Sequence, residues 1–247
     1  MLRILRIVWG AWAASLSIAA EPDAELQGFV DWLLEDGERL ENVPFAEVVE
    51  AVSGREVLPV DPGAPVDAEM LAALSAVLDD SFAAFAEAEH PIHGEGRVNE
   101  ISGHLETALL TRLNAVDGLT CVIPRNAEGD VRHPGYPDLR LEHEASGRVF
   151  YIDPKVYKDG SADSSFRTFY YEPKGATNKI LDDASHLIVG AAHGGKVEGT
   201  WRLLRWQVID LIDFEVRLKA EFQASNRDLY RDSAVLMRSK PLTRKSD

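Results

Sequence analysis

The chain has 247 residues, 45% of them hydrophobic and 27% charged, with 18 Gly and 12 Pro. This is globular composition, and it excludes a disordered tail, a collagen-like fibre and a disulfide-stapled miniprotein. The formal charge of −15 argues against a polyanionic partner only until it is resolved along the chain. Residues 1–100 carry 5 basic and 20 acidic side chains, 101–195 carry 10 and 13, and 196–247 carry 11 and 8. The acidity lies in the first hundred residues, and the rest of the chain remains compatible with an anionic ligand.

Residues 1–20 read as a secretory signal peptide. Arg3 and Arg6 precede a largely apolar run from Ile7 to Ile18, and Ser17-Ile18-Ala19 offers the small residues of a cleavage site. Cleavage would leave a periplasmic or secreted protein. An amphipathic first helix, or an extension upstream of the true start of a cytoplasmic protein, fits the same residues. The apolar run is too short for a stable anchor, and no later segment is long enough to span a bilayer. Cys121 has no cysteine partner and lies in an apolar run, so packing is its expected role.

Residues 21–92 form an acidic region with helical periodicity. Leu26, Phe29, Val30, Leu33 and Leu34 share one side of a helical stretch within 24–56. Pro59 to Pro65 make a loop, after which Asp67 is the expected N-cap of a helix through Leu71, Leu74, Leu78 and Phe82 to about Glu89. His90 to Gly94 end the region. From residue 93 the pattern changes to that of a separate α/β domain reaching 247. Val98 to Asn114 is a helix with Ile101, Leu105, Leu109 and Leu113 along its apolar stripe. A strand at 119–123 and a Gly- and Pro-containing loop follow. Two strands joined at Ala145-Ser146-Gly147 come next, then a polar loop at 157–165 and an aromatic stretch from Phe166 to Tyr171. Strands are expected at 186–192 and 201–206, a turn at His193-Gly194-Gly195, and a long helix from about Val208. The pattern predicts a small mixed sheet flanked by helices.

The chemistry concentrates between Tyr136 and Tyr157. Pairing Leu139 with Ile152 and Leu141 with Phe150 gives the hairpin one continuous apolar face. The same register sets Asp138 opposite Asp153, with Lys155 two residues further along the same side. A slip of one residue would turn the apolar set to the wrong face. Two carboxylates this close repel unless a cation lies between them. Mg²⁺ suits such oxygen donors because it keeps waters and binds substrate phosphate, with Mn²⁺ as a substitute. The Pro154 carbonyl is a candidate further ligand, and Lys155 is placed to hold or deprotonate a water. A surface hairpin with a cross-strand Lys–Asp ion pair accounts for the same three residues without catalysis.

Pro137-Asp138 and Asp153-Pro154-Lys155 on one hairpin resemble the PD-(D/E)XK nuclease superfamily, in particular type II restriction endonucleases. The resemblance covers about Arg97 to Tyr230. It implies a restriction-endonuclease-like core, Mg²⁺-dependent hydrolysis of phosphodiester bonds in DNA, and a further acid from the preceding helix. Glu100 and Glu106 are the candidates there, about 240° apart on the wheel. Glu100, near the helix start, is preferred. Two cuts in duplex DNA favour a two-fold dimer.

After the motif, Ser165 and Arg167 are placed to contact phosphate or a guanine edge. Lys174 and Lys179 are spaced like phosphate contacts and equally like surface lysines. No phosphate-cradling Gly-rich loop with Lys-Ser/Thr points to an NTPase. His90 and His93 lack the second ligand pair of a structural zinc site. A nuclease fold used only for binding DNA, or as an adaptor, is one alternative to catalysis. An exported protein of unrelated function is the other.

Overall fold

The computed structural model describes residues 24–35, 40–161, 169–172, 175–218, 225–229, 231, 233 and 236–237. The expected signal at 1–20 and the proposed contacts Ser165, Arg167 and Lys174 lie outside the described residues. The chain divides into two compact units. One combines the residues up to Leu40 with those from Leu218, and contains α1 (Ala24–Glu35) and the short α5 (Asn226–Leu229). Within it, the Leu218 amide donates to the Leu40 carbonyl at 2.8 Å. The other unit, Glu41–Arg217, holds the sheet and the residues of the candidate site. Among the described residues, no helix is long and apolar enough to cross a membrane.

The larger unit is α/β, with a mixed five-stranded sheet flanked by helices. Its order is β2 (Leu119–Val122), β3 (Leu139–His143), β4 (Arg148–Lys158), β5 (Ser185–Val197), β6 (Thr200–Asp210). All neighbours are antiparallel except β4 and β5. Parallel pairing cannot be made by a tight turn, so the chain between Lys158 and Ser185 has to cross over to enter β5 from the same end as β4. Short strands β1 (Val43–Pro44) and β7 (Glu215–Val216) pair separately.

Apolar alternation places a core on each face of the sheet. Leu139, Leu141, Phe150 and Ile152 pack with Leu74 and Leu78 of α3 (Pro65–Phe85) and Leu105 and Leu109 of α4 (Val98–Leu113). Val149 and Tyr151 point the other way, into a cluster with Phe45 and Val49 of α2 (Phe45–Ser53), Tyr136 and Leu211. The face of the hairpin that carries the polar residues is therefore covered too.

Several boundaries depart from the expected ones. The helical stretch at 24–56 is divided into α1 and α2, with Asn42 at φ 56° just before β1. Asp67 does not cap α3. Ala64 is the N-cap, and Pro65, whose fixed φ suits the first helical position, starts the helix. His193-Gly194-Gly195 lies within β5 and is accommodated by register shifts against β6 rather than by a turn. The reversal comes at Glu198 and Gly199, both with positive φ, as a two-residue hairpin loop requires. The residues from Val208, expected to begin a long helix, instead complete β6, because Val208 and Ile209 pair with Val189 and Ile188 of β5. Only the four-residue α5 is helical among the described residues beyond them.

Asp67 turns inward, where the Arg148 guanidinium donates Nε–H to Oδ1 at 3.0 Å and Nη2–H to Oδ2 at 3.3 Å. Nη2 also reaches the Pro59 carbonyl (3.0 Å) and Ser185 Oγ (2.6 Å), so one arginine ties α3, the loop before it, β4 and β5. Burial alone would raise the Asp67 carboxyl, but the bonds from Arg148 and the Asp61 amide outweigh it and hold the pKa below its ordinary 3.8. The stability this provides is complete above 3.8 and is lost as pH falls through the lower folded-state value. Asp67→Asn should cost about 3 kcal/mol in urea unfolding at pH 7 by leaving the arginine without its counter-charge. The gap between variant and wild type should narrow below pH 3.8.

Candidate active site

β3 and β4 pair from His143–Arg148 to Leu139–Ile152 and no further, in the register expected from their apolar residues. Pairing of β4 with β5 continues to Lys158–His193. Asp138 and Asp153 are therefore the first residues beyond the hairpin ladder, facing each other where the strands part. The Lys155 ammonium makes an ion pair with Asp153 Oδ2 and lies 3.8 Å from Asp138 Oδ2. Asp153 is 2% exposed, whereas a third of the Lys155 side chain is open to solvent. Pro154, between them, is buried within β4.

Both acids hold their protons more tightly than usual. Burial pushes Asp153 up to about 7; Lys155 pulls it down and the Asp138 charge pushes it up again. Burial also raises Asp138, opposed by Lys155 and a bond to Asp153, with the Glu106 charge adding to the rise. The two carboxyls thus share a bond and compete for one lysine, an arrangement that a further cation would relieve. The donor set is all oxygen. Among the described residues, no three His, Cys, Asp or Glu side chains converge as a complete ligand group.

Of the two candidate helix acids, the structure brings Glu106 and not Glu100 to this cluster. Glu100 Oε2 accepts the Gly96 and Arg97 amides at 3.1 and 2.8 Å and closes the N-terminus of its own helix. This is the ordinary use of a glutamate three residues into a helix. Glu106 lies in mid-helix, its charge acts on Asp138 and on Lys179, and Oε1 is 3.9 Å from His133 Nδ1.

Lys179 is not a surface lysine. It is 2% exposed, and its ammonium donates to the carbonyls of Gly135 (2.6 Å), Pro137 (3.1 Å) and His133 (3.3 Å). Burial lowers its pKa, while Asp138, Glu106 and Asp153 oppose the fall. The same segment is anchored from the second core, where Tyr136 Oη bonds His186 Nδ1 at 2.7 Å. Burial pushes His186 down to about 3, so it is neutral. Asp182 follows shortly after Lys179 and takes a two-pronged bond from Arg140 (2.8 and 3.0 Å) and another from Tyr151 Oη (2.7 Å). The Asn-Lys-Ile-Leu-Asp run at 178–182 gives no local cue to this burial, which arises from the crossover alone.

Because the charged form of Asp153 is the penalised one, its burial destabilises the metal-free fold progressively as pH rises from 3.8 towards 7. Asp153→Asn, melted in EDTA beside wild type, should gain more in melting temperature at pH 8 than at pH 5. Equal shifts at both values would mean that Asp153 ionises without penalty.

The sequence matches the type II restriction enzyme MjaV family over residues 39–233. A curated relative, "Type II restriction enzyme MjaV" of Methanocaldococcus jannaschii, is 29% identical over 210 residues, covering 80% of this chain and 89% of the relative. No solved structure matches the chain. The family match takes in the whole of β2 to β6 together with Asp138, Asp153, Lys155 and Lys179, and on that breadth the chain belongs to the type II restriction enzyme MjaV family.

Proposed function

We propose that the chain is a Mg²⁺-dependent DNA endonuclease of the PD-(D/E)XK superfamily with a restriction-endonuclease-like core, acting on duplex DNA as a homodimer. The observation that carries this reading is the meeting of Asp138, Asp153 and Lys155 where β3 and β4 part. The family match supports DNA as the substrate.

The site fits the metal. Mg²⁺ takes oxygen ligands, is often held by only one or two carboxylates, and fills its remaining positions with water and substrate phosphate. Asp138 and Asp153 would hold it. The Pro154 carbonyl would be the third protein oxygen: a proline lacks the N–H a ladder needs, and the side of β4 without a partner here is the one β3 has left. When bound, the metal supplies Lewis acidity, neutralising charge on the phosphoryl group and making water easier to deprotonate. Lys155, the most exposed member of the trio, holds the attacking water in line and donates to a phosphate oxygen as charge develops there. Glu106, whose charge acts on Asp138, would be the helix acid of the site and would support the bound ion without ligating it directly. Ser165, Arg167 and Lys174 remain the proposed DNA contacts.

Plasmid cleavage in Mg²⁺ tests the reading. Asp138→Asn, Asp153→Asn and Lys155→Ala should each lower the rate by about 10³-fold or more, the scale set by losing transition-state charge stabilisation. Glu106→Gln should lower it by about 10-fold, as loss of an outer-sphere partner does. Glu100→Ala should leave the rate alone and cost about 1 kcal/mol of stability through the helix cap. Intact plasmid with wild-type protein in both Mg²⁺ and Mn²⁺ would overturn the proposal.

A further inference from the structure

Among the described residues, Lys179 is a buried charge whose bonds all go to main-chain carbonyls, and those carbonyls lie in one place. His133, Gly135 and Pro137 precede Asp138 in the chain and point their oxygens at a single ammonium, within 2.6–3.3 Å. The chain bends at 133–136, with Gly135 at φ 92°, and a point charge with three rotatable donors can gather the three carbonyls that the bend turns inward. Residues 133–135 are otherwise exposed and outside any strand. Tyr136 anchors the middle of this segment in the second core, and Lys179 holds the main chain on either side of it. The neighbouring residue strengthens the brace, since the Asn178 carbonyl accepts the Ala127 amide at 2.9 Å and so holds the earlier part of the same loop. Asp182 is then locked to Arg140 and Tyr151, which ties this bracing segment to the hairpin itself.

We propose that Lys179 is a positioning residue for the metal site: by clamping the carbonyls of 133, 135 and 137 it holds the Asp138 carboxylate against Asp153. The metal-affinity part of this inference rests on the nuclease reading above; the clamp itself does not. Its hydrogen bonds go to the backbone before Asp138, and its charge adds a smaller direct pull on the Asp138 carboxyl.

Three measurements on the full-length chain separate these points, using Lys179→Met, which keeps the length of the side chain without donors, and Lys179→Gln, which keeps two donors. The first is limited tryptic proteolysis without metal or DNA, read at Arg132, which is exposed just before the clamped segment. Proteolysis there should speed on the order of 10-fold in Lys179→Met and less in Lys179→Gln, with proteolysis at other sites unchanged. The second is calorimetric titration with Mn²⁺, whose affinity should fall about 10-fold or more in Lys179→Met, as for loss of a second-shell support. In the third, plasmid cleavage, the Mg²⁺ concentration for half-maximal rate should rise in step while the rate at saturating Mg²⁺ stays within about 3-fold of wild type, because the chemical groups are intact. A lysine needed only for stability would instead speed proteolysis at all sites alike and leave the Mg²⁺ requirement where it was. Unchanged proteolysis at Arg132, or unchanged Mn²⁺ affinity despite faster proteolysis, in both variants would overturn the proposal. If the wild type neither binds Mn²⁺ nor cleaves DNA, the nuclease reading fails on its own account, and the proteolysis result still decides whether Lys179 clamps the segment.

Discussion

β3 and β4 cease to pair at Leu139–Ile152, and almost everything distinctive about this molecule occupies the gap that follows. A pleated strand sends successive side chains to opposite faces, so packing Leu139, Leu141, Phe150 and Ile152 on α3 and α4 commits Asp138, Asp153 and Lys155 to the other face. That face is not left to water. Tyr151, Tyr136, His186 and the residues around Phe45 fill it, which is why Asp153 is buried and why its charge is so unfavourable without help. The same packing that fixes the geometry therefore creates the demand for a cation.

The positive charges near the hairpin are used in three different ways. Arg148 neutralises a buried aspartate and joins helix, loop and two strands. Lys155 faces the opening, shared between two acids. Lys179 is enclosed and spends its donors on backbone. Arginine's planar fork suits a structural clamp on a carboxylate, whereas the compact ammonium suits both a mobile contact to substrate and a node for converging carbonyls. In a chain of this acidity, each of these cations is committed to a particular acceptor.

The hairpin was legible because its information is local. A turn signal, two apolar pairs and the period of a strand are enough to set the register, and the structure has that register. The helix at Val98–Leu113 was legible for the same reason. What failed depended on partners distant in the chain. Asp67 was read as a cap because helix starts favour aspartate, yet Arg148, far along the sequence, claims it. Glu100 is the exception, since the amide pair three and four residues before it has a purely local claim on its carboxylate. The stretch from Val208 has no property that forbids a helix; the neighbouring β5 makes it a strand. Lys179 was invisible as a buried group, since its acceptors are backbone atoms that every residue possesses.

The parallel pairing of β4 with β5 has a consequence for how the protein comes to exist. The hairpin bearing the two acids closes over a short turn, whereas β5, which brings His186, cannot dock until the long connection through Lys179 has crossed over. Short-range pairs form early and long-range parallel ones late, because the entropy of closing the intervening loop must be met first. A growing or half-folded chain therefore presents the acids of the site before the segment that steadies them. On the reading proposed above, DNA cleavage would await the docking of β5, and activity regained during refolding would time that pairing.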